Sequence, residues 1–504
     1  MYCIYTQGAA VMSQSVIVVG AGFSGLAAAA LLAKRGHQVT VLEKNFSVGG
    51  RARLWKHQGY TFDMGPSWYL MPEVFERFFQ HFGRSSSDYY QLSRLDPYYR
   101  VFFNPGEYAE ITPHYQDTKR VFDSFEKNGG IKLDAYLQQA RYKYDVAMQQ
   151  FLYREYSSIF QFFNHRMLRE GLRLNVFEHM DRFVSRSFTD RRAKQLLEYA
   201  MVFLGTNPKD APALYSIMSH VDMDLGVYYP MGGLGAVAQA FASLARENGV
   251  TIRTGCEVTR IRQKNRRFHG VEACGELITA DSLVFAGDYP HAELDLMDNS
   301  SRSLNGRYWR KRILSPSMFL MYIGLDRRLS NFRHHTLYFE EDWNRHFDAI
   351  FKNPEWPLDP CFYVSVISKT DPAAAPAGGE NVFVLVPVAP GLSDSDEQRE
   401  LYADHILDHI ARITGEDLRV QRKVQRIFSG RDFVHDYNAY KGTALSLAHT
   451  LFQTAVFRPP HRSKRVRGLY YTGHYTHPGV GVPMTVIASE IVAERVASSL
   501  EKNG

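Results

Sequence analysis

The chain has 504 residues, 45% of them apolar, and it includes 33 phenylalanines and 30 tyrosines. This composition excludes an intrinsically disordered chain, and the length predicts two or three domains. The net charge of +6, from 59 basic and 53 acidic residues, is too small over this length to indicate a nucleic-acid-binding protein.

The first predicted element lies in an uncharged run of eighteen mostly apolar residues, Val16 to Ala33. By length alone this run could span a bilayer. No lysine or arginine precedes it, as a signal peptide would require, and three glycines interrupt it. We therefore reject both a transmembrane helix and a signal peptide. Residues 1–11, ahead of Met12, are interpreted as an extension that the fold does not need.

The glycines belong to a strand, tight turn, helix and second strand predicted between Ser15 and Asn45. Gly20 allows the turn, Gly22 lets the backbone approach a pyrophosphate, and Gly25 lets the helix pack on the strand. The helix N-terminus offers free N–H groups to phosphate oxygens. Glu43 follows the second strand, where it can accept hydrogen bonds from a ribose 2′-hydroxyl. The motif therefore predicts a dinucleotide site.

A second turn, Gly49-Gly50-Arg51, lies shortly after the second strand. A flexible turn that ends in arginine can contact the pyrophosphate from the other side. This continuation resembles the flavoproteins of the amine oxidase and carotenoid desaturase superfamily, and the resemblance favours FAD over NAD as the dinucleotide. Nearby, Asp63 in the stretch TFDMGP is expected to hold a turn rather than to accept a proton.

The pattern from residue 76 to about 220 is helical and aromatic. Between Arg141 and Lys194 there are 11 Lys or Arg residues against 6 Asp or Glu residues. Basic and aromatic residues interleaved at helical spacing suit an anionic membrane surface. A helical domain with a solvated basic face and an aromatic core explains the same pattern, and both interpretations stay open here.

After this region the pattern returns to that of a nucleotide-binding sheet. A glycine turn opens an amphipathic helix over Leu234–Asn248, and strands follow as far as Asp288. Strands and helices also alternate between residues 300 and 430. We therefore predict a discontinuous FAD-binding domain over residues 13–75, 226–292 and 464–504. Residues 76–225 are predicted to form a helical, membrane-associated part of the substrate domain. Residues 293–463 are predicted to form its sheet-containing part.

The four cysteines are Cys3, Cys256, Cys274 and Cys361. None forms a C-x-x-C pair, and their spacing reveals no disulfide framework. This usage predicts a protein without disulfides in a reducing, cytoplasmic compartment.

Near the C-terminus, His474 and His477 lie in a turn rich in glycine and proline. The stretch GLYYTG before it reads as a last strand, and Met484 onward reads as a helix, with Pro483 suited to the helix start. The histidines could form a metal site, a catalytic pair or the closing part of a site begun elsewhere. A metal site is disfavoured because this His-x-x-His pair has no third ligand cluster beside it.

In combination these motifs resemble the bacterial-type carotenoid desaturases, the phytoene and diapophytoene desaturase family. The resemblance covers residues 13–498 and includes GYTFDMGPSWYLMPEVF, FLGTNPKDAPALYSI, GVYYPMGG and LYYTGHYTHPGVGVP. It implies an α/β fold: a Rossmann-type FAD-binding domain with an inserted mixed-sheet substrate domain and a helical membrane-facing region. The cofactor-binding residues that the motifs and the resemblance together indicate are Gly20, Gly22, Gly25, Glu43, Gly50, Arg51, Gly65, Val258, Asp288, Gly473, Pro483 and Met484.

The resemblance also implies an activity. Members of the family bind FAD and desaturate a long polyene, so we expect this chain to convert phytoene to a neurosporene- or lycopene-type product. Diapophytoene or hydroxycarotenoid desaturation, carotenoid isomerisation or oxidation, and amine oxidation are the alternatives. The expected partners are a hydrophobic polyene, the cytoplasmic surface of the cell membrane, and quinone or oxygen as electron acceptor, with no nucleic acid.

For the mechanism, we expect the flavin and the shape of an apolar tunnel to dominate, with no single essential acid–base residue. Arg154 and His165 are the candidate catalytic residues, with Arg154 suited to stabilising reduced flavin or orienting the substrate. His474, Tyr475 and Val480 are bulkier than the residues common at these positions in the family. They are expected to lie near the flavin and to influence which polyene fits.

Overall fold

The computed structural model describes residues 13–155 and 173–501. Its strands, in chain order, are β1 (Ser15–Val19), β2 (Gln38–Leu42), β3 (Leu54–His57), β4 (Tyr60–Asp63), β5 (Leu92–Arg94), β6 (Tyr99–Asn104), β7 (Glu107–Ile111), β8 (Tyr228–Pro230), β9 (Thr251–Arg253), β10 (Val258–Lys264), β11 (Arg267–Ala273), β12 (Glu276–Thr279), β13 (Ser282–Phe285), β14 (Ser317–Leu325), β15 (His335–Tyr338), β16 (Phe362–Ser365), β17 (Glu380–Val388), β18 (Arg422–Phe428) and β19 (Leu469–Tyr471).

The α-helices are numbered in the same way. They are α1 (Phe23–Lys34), α2 (Pro72–Gln80), α3 (Tyr115–Phe125), α4 (Gly129–Val146), α5 (Met180–Ser185), α6 (Arg191–Glu198), α7 (Ala200–Phe203), α8 (Ile217–His220), α9 (Gly233–Glu247), α10 (Tyr289–Leu294), α11 (Gly306–Arg310), α12 (Trp343–Phe351), α13 (Asp396–Thr414), α14 (Gly430–Tyr437) and α15 (Val482–Glu501). Two π-helical turns, Ala147–Phe151 and Val221–Leu225, continue α4 and α8.

A five-stranded parallel sheet in the order β19-β13-β1-β2-β9 forms the nucleotide-binding part. Successive residues of its strands point to opposite faces, and both faces are covered. Val16 and Val18 pack with α1, α9 and α15, whereas Ile17 packs with the antiparallel sheet β10-β11-β12. Three segments far apart in sequence therefore build one sheet, with their carboxyl ends at the same edge.

A seven-stranded mixed sheet in the order β18-β14-β17-β16-β15-β6-β7 forms the second part. Its central strands β14 and β17 pair antiparallel over nine residues each. One face packs against α13, and the other belongs to a larger core shared with the helices that precede residue 225. This second face, rich in aromatic residues, forms part of the wall of the site described below.

The helical pattern expected between residues 76 and 220 is wrong for residues 92–111, which form β5, β6 and β7. The stretch Tyr99–Asn104 is rich in aromatic and β-branched residues, which suit a pleated surface, and the turn at Gly106, with φ of 77°, returns the chain as β7. Because β6 pairs with β15, both predicted parts of the substrate domain contribute to the same sheet. The domain boundaries stay a prediction.

The expectation of no disulfide is also wrong. Cys256 and Cys274 are bonded, with their Cα atoms 5.4 Å apart. The antiparallel pairing of β10 with β11 places Val258 opposite Ala273 and so brings the two flanking cysteines together, which their spacing in sequence does not reveal. The cytoplasmic expectation loses the support of the cysteines and stays a prediction.

No helix within the described ranges has both the length and the hydropathy needed to cross a bilayer. The apolar run that begins at Val16 forms β1 and α1 instead, and Leu26 to Ala30 of α1 are fully buried in the core of the nucleotide-binding part. Most of the run is buried inside the protein, which accounts for its apolar composition.

Candidate functional site

The turn between β1 and α1 forms a cradle of bare backbone at the carboxyl edge of the parallel sheet. Gly20 has a φ of 100°, which favours glycine. A Cβ at Gly25 would lie 1.9 Å from the carbonyl oxygen of Gly20, so only glycine lets α1 approach the strand. A Cβ at Gly50 would lie 3.3 Å from the Cα of Gly22. The two glycine turns thus leave exposed N–H groups where an anion can bind.

Glu43 lies directly after β2 and is 6% exposed. Its Oε2 accepts a hydrogen bond from the N–H of Ala21 at 2.7 Å, and its Oε1 accepts one from the N–H of Asn45 at 2.8 Å. The carboxylate is therefore held in a fixed orientation beside the glycine turn. Glu43 also lines the cavity, and its ribose-binding role stays a prediction.

Arg51 contributes a partly buried positive charge to the same edge. Among the residues that the structure describes, its Nε and Nη2 atoms find no hydrogen-bond partner. Its guanidinium carbon lies 5.2 Å from the centre of the Tyr437 ring, which holds the side chain in place. Buried guanidinium N–H groups are rarely left unpaired, so this arrangement indicates a site for a bound anionic group.

Asp288 follows β13 and caps α10. Its Oδ1 accepts a hydrogen bond from the N–H of His291 at 3.2 Å, and its Oδ2 accepts one from the hydroxyl of Tyr475 at 2.9 Å. Burial raises the pKa of Asp288 to about 6, against the opposing effect of the Arg51 charge. Asp288 thus connects the end of the sheet to the C-terminal turn.

The C-terminal turn closes the site from the opposite end of the chain. Gly473, Gly479 and Gly481 all have φ values above 100°. Glycine adopts such values readily, so the chain can turn sharply at these positions. The helix α15 begins at Val482, two residues earlier than predicted, so Pro483 and Met484 lie in its first turn. The positive end of this 20-residue helix is directed toward the site.

The structure gathers the predicted cofactor-binding residues around one space. Eleven of the twelve line the same cavity, and the exception, Gly25, supports the turn from below. The eleven are Gly20, Gly22, Glu43, Gly50, Arg51, Gly65, Val258, Asp288, Gly473, Pro483 and Met484. Position 65 requires glycine, because a Cβ there would lie 2.6 Å from the carbonyl oxygen of Arg51.

His474 and His477 line the cavity as neutral side chains. Burial lowers the pKa of His474 well below its usual value, and the charges of Arg51 and Arg458 lower it further. Burial lowers the pKa of His477 to about 4. The described ranges contain no group of three or more side chains able to hold a metal ion. These histidines are therefore uncharged parts of the wall at neutral pH.

Sequence reasoning missed Arg458, which is 4% exposed. Its guanidinium donates hydrogen bonds to the carbonyl oxygens of His474 at 2.8 Å and Leu447 at 3.3 Å. Burial lowers the pKa of Arg458 to about 10, so it remains a cation. It stabilises the C-terminal turn and places a second positive charge behind the cavity.

The cavity has a volume of about 1070 Å³, at the upper end of the range for small-molecule sites. Beyond the glycine cradle its wall is mostly aromatic and aliphatic, formed in part by Trp68, Tyr199, Phe203, Leu204, Met218 and Tyr363. Part of its rim is formed by Phe177, Phe452 and Phe457, which are 76%, 70% and 38% exposed. The same cavity thus includes the glycine cradle and an apolar compartment.

Asp222 is an acidic residue in this apolar wall that sequence reasoning also missed. It lies in the π-helical turn after α8 and is 3% exposed. Its Oδ2 accepts hydrogen bonds from the hydroxyls of Tyr199 at 2.6 Å and Tyr99 at 3.2 Å. Burial raises the pKa of Asp222 to about 7. The segment HVDMDLG matches no known motif, so no sequence signal pointed to it.

Of the two predicted catalytic residues, the structure describes only Arg154. Arg154 is exposed and is absent from the described residues that line the cavity. His165 lies outside the described residues. Asp63 is buried, and its Oδ1 accepts a hydrogen bond from the N–H of Gly235 at 3.1 Å, near the start of α9. That bond fits the structural role expected for Asp63.

Comparisons with known proteins agree with this geometry. The family model for flavin-containing amine oxidoreductases matches residues 23–497. A carotenoid 3,4-desaturase from Haloarcula japonica is 44% identical over 97% of this chain and 99% of that protein. A zeta-carotene-forming phytoene desaturase from Myxococcus xanthus is 33% identical over 98% and 96%. A 4,4′-diapophytoene desaturase from Staphylococcus aureus is 32% identical over 97% and 99%.

Solved structures show the same fold at lower identity. An oxidoreductase from Methanosarcina mazei superposes with a TM-score of 0.64 and 16% identity, over 95% of this chain and all of that one. Wild-type putrescine oxidase bound to putrescine gives a TM-score of 0.58 and 15% identity, over 97% and 99%. A Rab GDI from Plasmodium falciparum gives 0.56 and 11%, over 96% and 98%. At these identities the likeness concerns the fold alone.

Proposed function

The chain belongs to the family of flavin-containing amine oxidoreductases that includes the carotenoid desaturases, and from this membership we propose that it introduces C=C bonds into a carotenoid. The observation that carries the proposal is the cavity, because one continuous space joins a dinucleotide cradle to an apolar compartment. A hydride acceptor and a hydrocarbon substrate can lie side by side in such a space.

The cofactor is FAD, and the residues present fit it. The glycine turns give its pyrophosphate access to backbone N–H groups, and the unpaired N–H groups of Arg51 supply a counter-charge. Glu43 is positioned for the ribose hydroxyls. When bound, FAD supplies the hydride acceptor of the reaction. The protein's own part is to hold both reactants and to exclude water.

The substrate is a hydrophobic polyene, and the walls explain how it is held. Burial of hydrocarbon against aromatic and aliphatic side chains supplies the binding free energy without directional bonds. The same walls keep water away from the reacting carbons. Tyr475 packs against Trp309 and is not among the described residues that line the cavity, whereas the bulky His474 and Val480 restrict the space beside the C-terminal turn. Their size limits which segment of the polyene can approach.

For the bond that is desaturated, we propose the 3,4-position of a carotenoid. The support is the higher identity to the Haloarcula japonica 3,4-desaturase, 44%, compared with 33% and 32% for the two phytoene-type desaturases. Desaturation of phytoene toward neurosporene or lycopene remains the alternative indicated by the sequence motifs. Diapophytoene and hydroxycarotenoid substrates are further alternatives.

The test is expression of the chain in hosts that accumulate different carotenoids, followed by pigment analysis. We expect a new double bond at the 3,4-position in a host whose main carotenoid is lycopene, and unchanged phytoene in a phytoene host. Desaturation of phytoene or diapophytoene instead would overturn the bond assignment. Peroxide release with amines, and no change in any carotenoid, would overturn the function itself.

We propose in addition that the cavity rim contacts the cytoplasmic surface of the cell membrane, from which the polyene enters. The support is the exposure of Phe177, Phe452 and Phe457 beside an apolar opening. Peripheral insertion of such side chains would let a hydrocarbon pass without crossing water.

Co-sedimentation with anionic phospholipid vesicles tests this contact. The double variant Phe177→Ser and Phe452→Ser is expected to bind vesicles at least several-fold less than the unmodified protein. Phe46→Ser is the matched control, because Phe46 is 92% exposed but is not among the cavity-lining residues described. Equal loss in the control, or no loss in the double variant, contradicts the proposal.

We propose that quinone or oxygen is the final acceptor of the electrons removed from the substrate. Quinone is favoured because it dissolves in the bilayer that the cavity rim would contact. Anaerobic turnover of the holoenzyme with added quinone in the vesicles distinguishes the two: continued desaturation supports quinone. Turnover only in air, with peroxide formed, supports oxygen.

A further inference from the structure

We propose that Asp222 accepts the proton that leaves the substrate during desaturation. The inference rests on the proposed function, since it concerns the same cavity and the same reaction. It differs from the expectation drawn from the sequence, in which no single acid–base residue is essential.

The geometry of Asp222 sets it apart from the apolar groups around it. Asp222 is 3% exposed as a residue, and it lines the cavity together with Tyr199 and Met218. Two hydroxyls, from Tyr199 and Tyr99, both donate to Oδ2. Within the described part of the chain, Oδ1 has no hydrogen-bond partner. Two donors on one oxygen fix the orientation of the carboxyl group, and Oδ1 is a buried oxygen to which no described group donates.

The surroundings also tune its protonation. The titratable groups that face Asp222 are Tyr98 and Tyr99 at the start of β6, Tyr136 of α4, Tyr199 between α6 and α7, and Asp224 on its own turn. Burial and the charge of Asp224 raise the pKa of Asp222, and the tyrosine hydrogen bonds lower it, to a result of about 7. A base with a pKa near the working pH is well suited to proton transfer.

The reaction balances with this assignment. FAD held by the glycine turns and Arg51 would supply the acceptor for a hydride, that is, for one C–H hydrogen of the substrate with its electron pair. The C–H bond on the adjacent carbon then breaks, its electron pair forms the new π bond, and its proton forms an O–H bond with Oδ1 of Asp222. The carboxylate becomes a neutral acid, and the substrate has lost two hydrogens.

His449 and Asp288 also line the cavity and are less suited, because hydrogen bonds already engage their side chains. His449 accepts a hydrogen bond at Nε2 from the N–H of Val480 at 3.1 Å, and its Nδ1 lies 2.6 Å from the hydroxyl of Tyr215. Asp288 caps α10.

His474 has a buried Nε2 without a partner among the described residues. It lies close to the cations Arg51 and Arg458, which disfavour protonation.

The direct test is anaerobic single-turnover reduction of the bound flavin by substrate in the FAD-loaded protein, followed at pH values from about 5.5 to 9. The rate for the unmodified protein should rise with pH through an apparent pKa near 7 and then level off. Asp222→Asn should lower the plateau by about 100-fold or more and abolish this rise. Its flavin content and Tm should stay close to those of the unmodified protein. Asp222→Glu should recover part of the rate.

A second variant keeps the inference testable if Asp222→Asn does not fold. Tyr199→Phe removes a hydrogen bond to the carboxylate, so the pKa of Asp222 should rise and the pH limb should move to higher pH. An unmoved limb in Tyr199→Phe, or a rate within tenfold of the original in Asp222→Asn, overturns the assignment.

Three outcomes distinguish failure of this inference from failure of the proposed function. If Asp222→Asn reduces the flavin normally but loses a preference for hydroxylated over unhydroxylated carotenoids, Asp222 recognises a substrate hydroxyl and is not the base. If the unmodified protein desaturates no carotenoid at all, the proposed function fails first. If the unmodified protein and Asp222→Asn desaturate the carotenoid equally fast, the role of Asp222 is wrong but the proposed function stands.

Discussion

The cofactor cradle and the wall of the polyene compartment use opposite kinds of residue. The cradle is built from glycine backbone, with a few charged side chains held by short local bonds. The wall is built from large apolar side chains supplied by strands and helices far apart in the chain, and Asp222 stands among them with one unpaired oxygen in the described structure.

This difference follows from the two ligands. A diphosphate is recognised by directional N–H groups, which a short turn can present in a fixed pattern. A hydrocarbon offers no directional group, so its site is defined by volume and by the exclusion of water. Substitutions in the cradle should therefore act through single atoms, and substitutions in the wall through shape and burial. The following experiments test this contrast, from the largest expected effect to the smallest.

The largest effect is expected at the first glycine turn. In Gly25→Ala the new Cβ would lie 1.9 Å from the carbonyl oxygen of Gly20, so we expect loss of bound FAD and of a cooperative thermal transition. Absorbance at flavin wavelengths and circular dichroism measure both.

Gly22→Ala is the matched variant. Its Cβ would meet only the Cα of Gly50, at 4.0 Å, and its φ of −78° suits alanine. It should keep the fold and bind FAD more weakly. If both variants behave alike, the cradle does not work through single backbone contacts.

Glu43→Gln should weaken FAD binding by about tenfold to 100-fold. The charged oxygens that receive the N–H groups of Ala21 and Asn45 are replaced in part by an amide donor, and hydrogen bonds to a charged group are worth about 1.5 to 3 kcal/mol. Fluorescence titration of the apoprotein with FAD measures the change. A Kd within twofold of the original would contradict the role given to Glu43.

In the wall, Ala200→Phe should impair use of the polyene without impairing the binding of FAD. Ala200 lines the compartment and is 6% exposed, so a larger side chain there reduces the space for the polyene. We expect kcat/KM for the carotenoid to fall by about tenfold or more, with FAD content unchanged. Ala200→Ser, which is nearly the same size, is the control. Loss of FAD in the phenylalanine variant would show that the compartments are not independent.

The smallest effect concerns Glu198, a buried acid in the core beneath the wall. Burial, helped by the charge of Asp181, raises its pKa to about 8. Because the folded protein then holds a proton that the unfolded chain has lost, this group makes the protein less stable as pH rises from about 5 to 8. Glu198→Gln should remove that loss.

The measurement is the difference in Tm between Glu198→Gln and the original protein at about pH 5.5 and pH 8.5. The difference should be more positive at the higher pH, by about 1 to 3 °C. A difference that is the same at both values would mean that Glu198 ionises normally in the folded state.

Much of the cradle could be predicted because the residues that form its first turn lie close together in the sequence. The spacing of Gly20, Gly22 and Gly25 and the position of Glu43 each follow from the path of a β-α-β unit. Placing Arg51 required one further turn. The wrong expectations concern pairings between distant segments. Strands β6 and β7 were expected as helix, and the partnership of Cys256 with Cys274 depends on a hairpin register that the spacing does not show.

The sequence by itself determined a dinucleotide-binding fold and the family to which the chain belongs, because backbone turns at an anion site need particular residues at particular spacings. The tertiary structure alone decided where the compartment runs, that Arg458 lies behind its wall, and that Asp222 lies within it. Apolar walls are assembled from residues that many positions could supply. Only their packing shows which polar group is enclosed with the substrate.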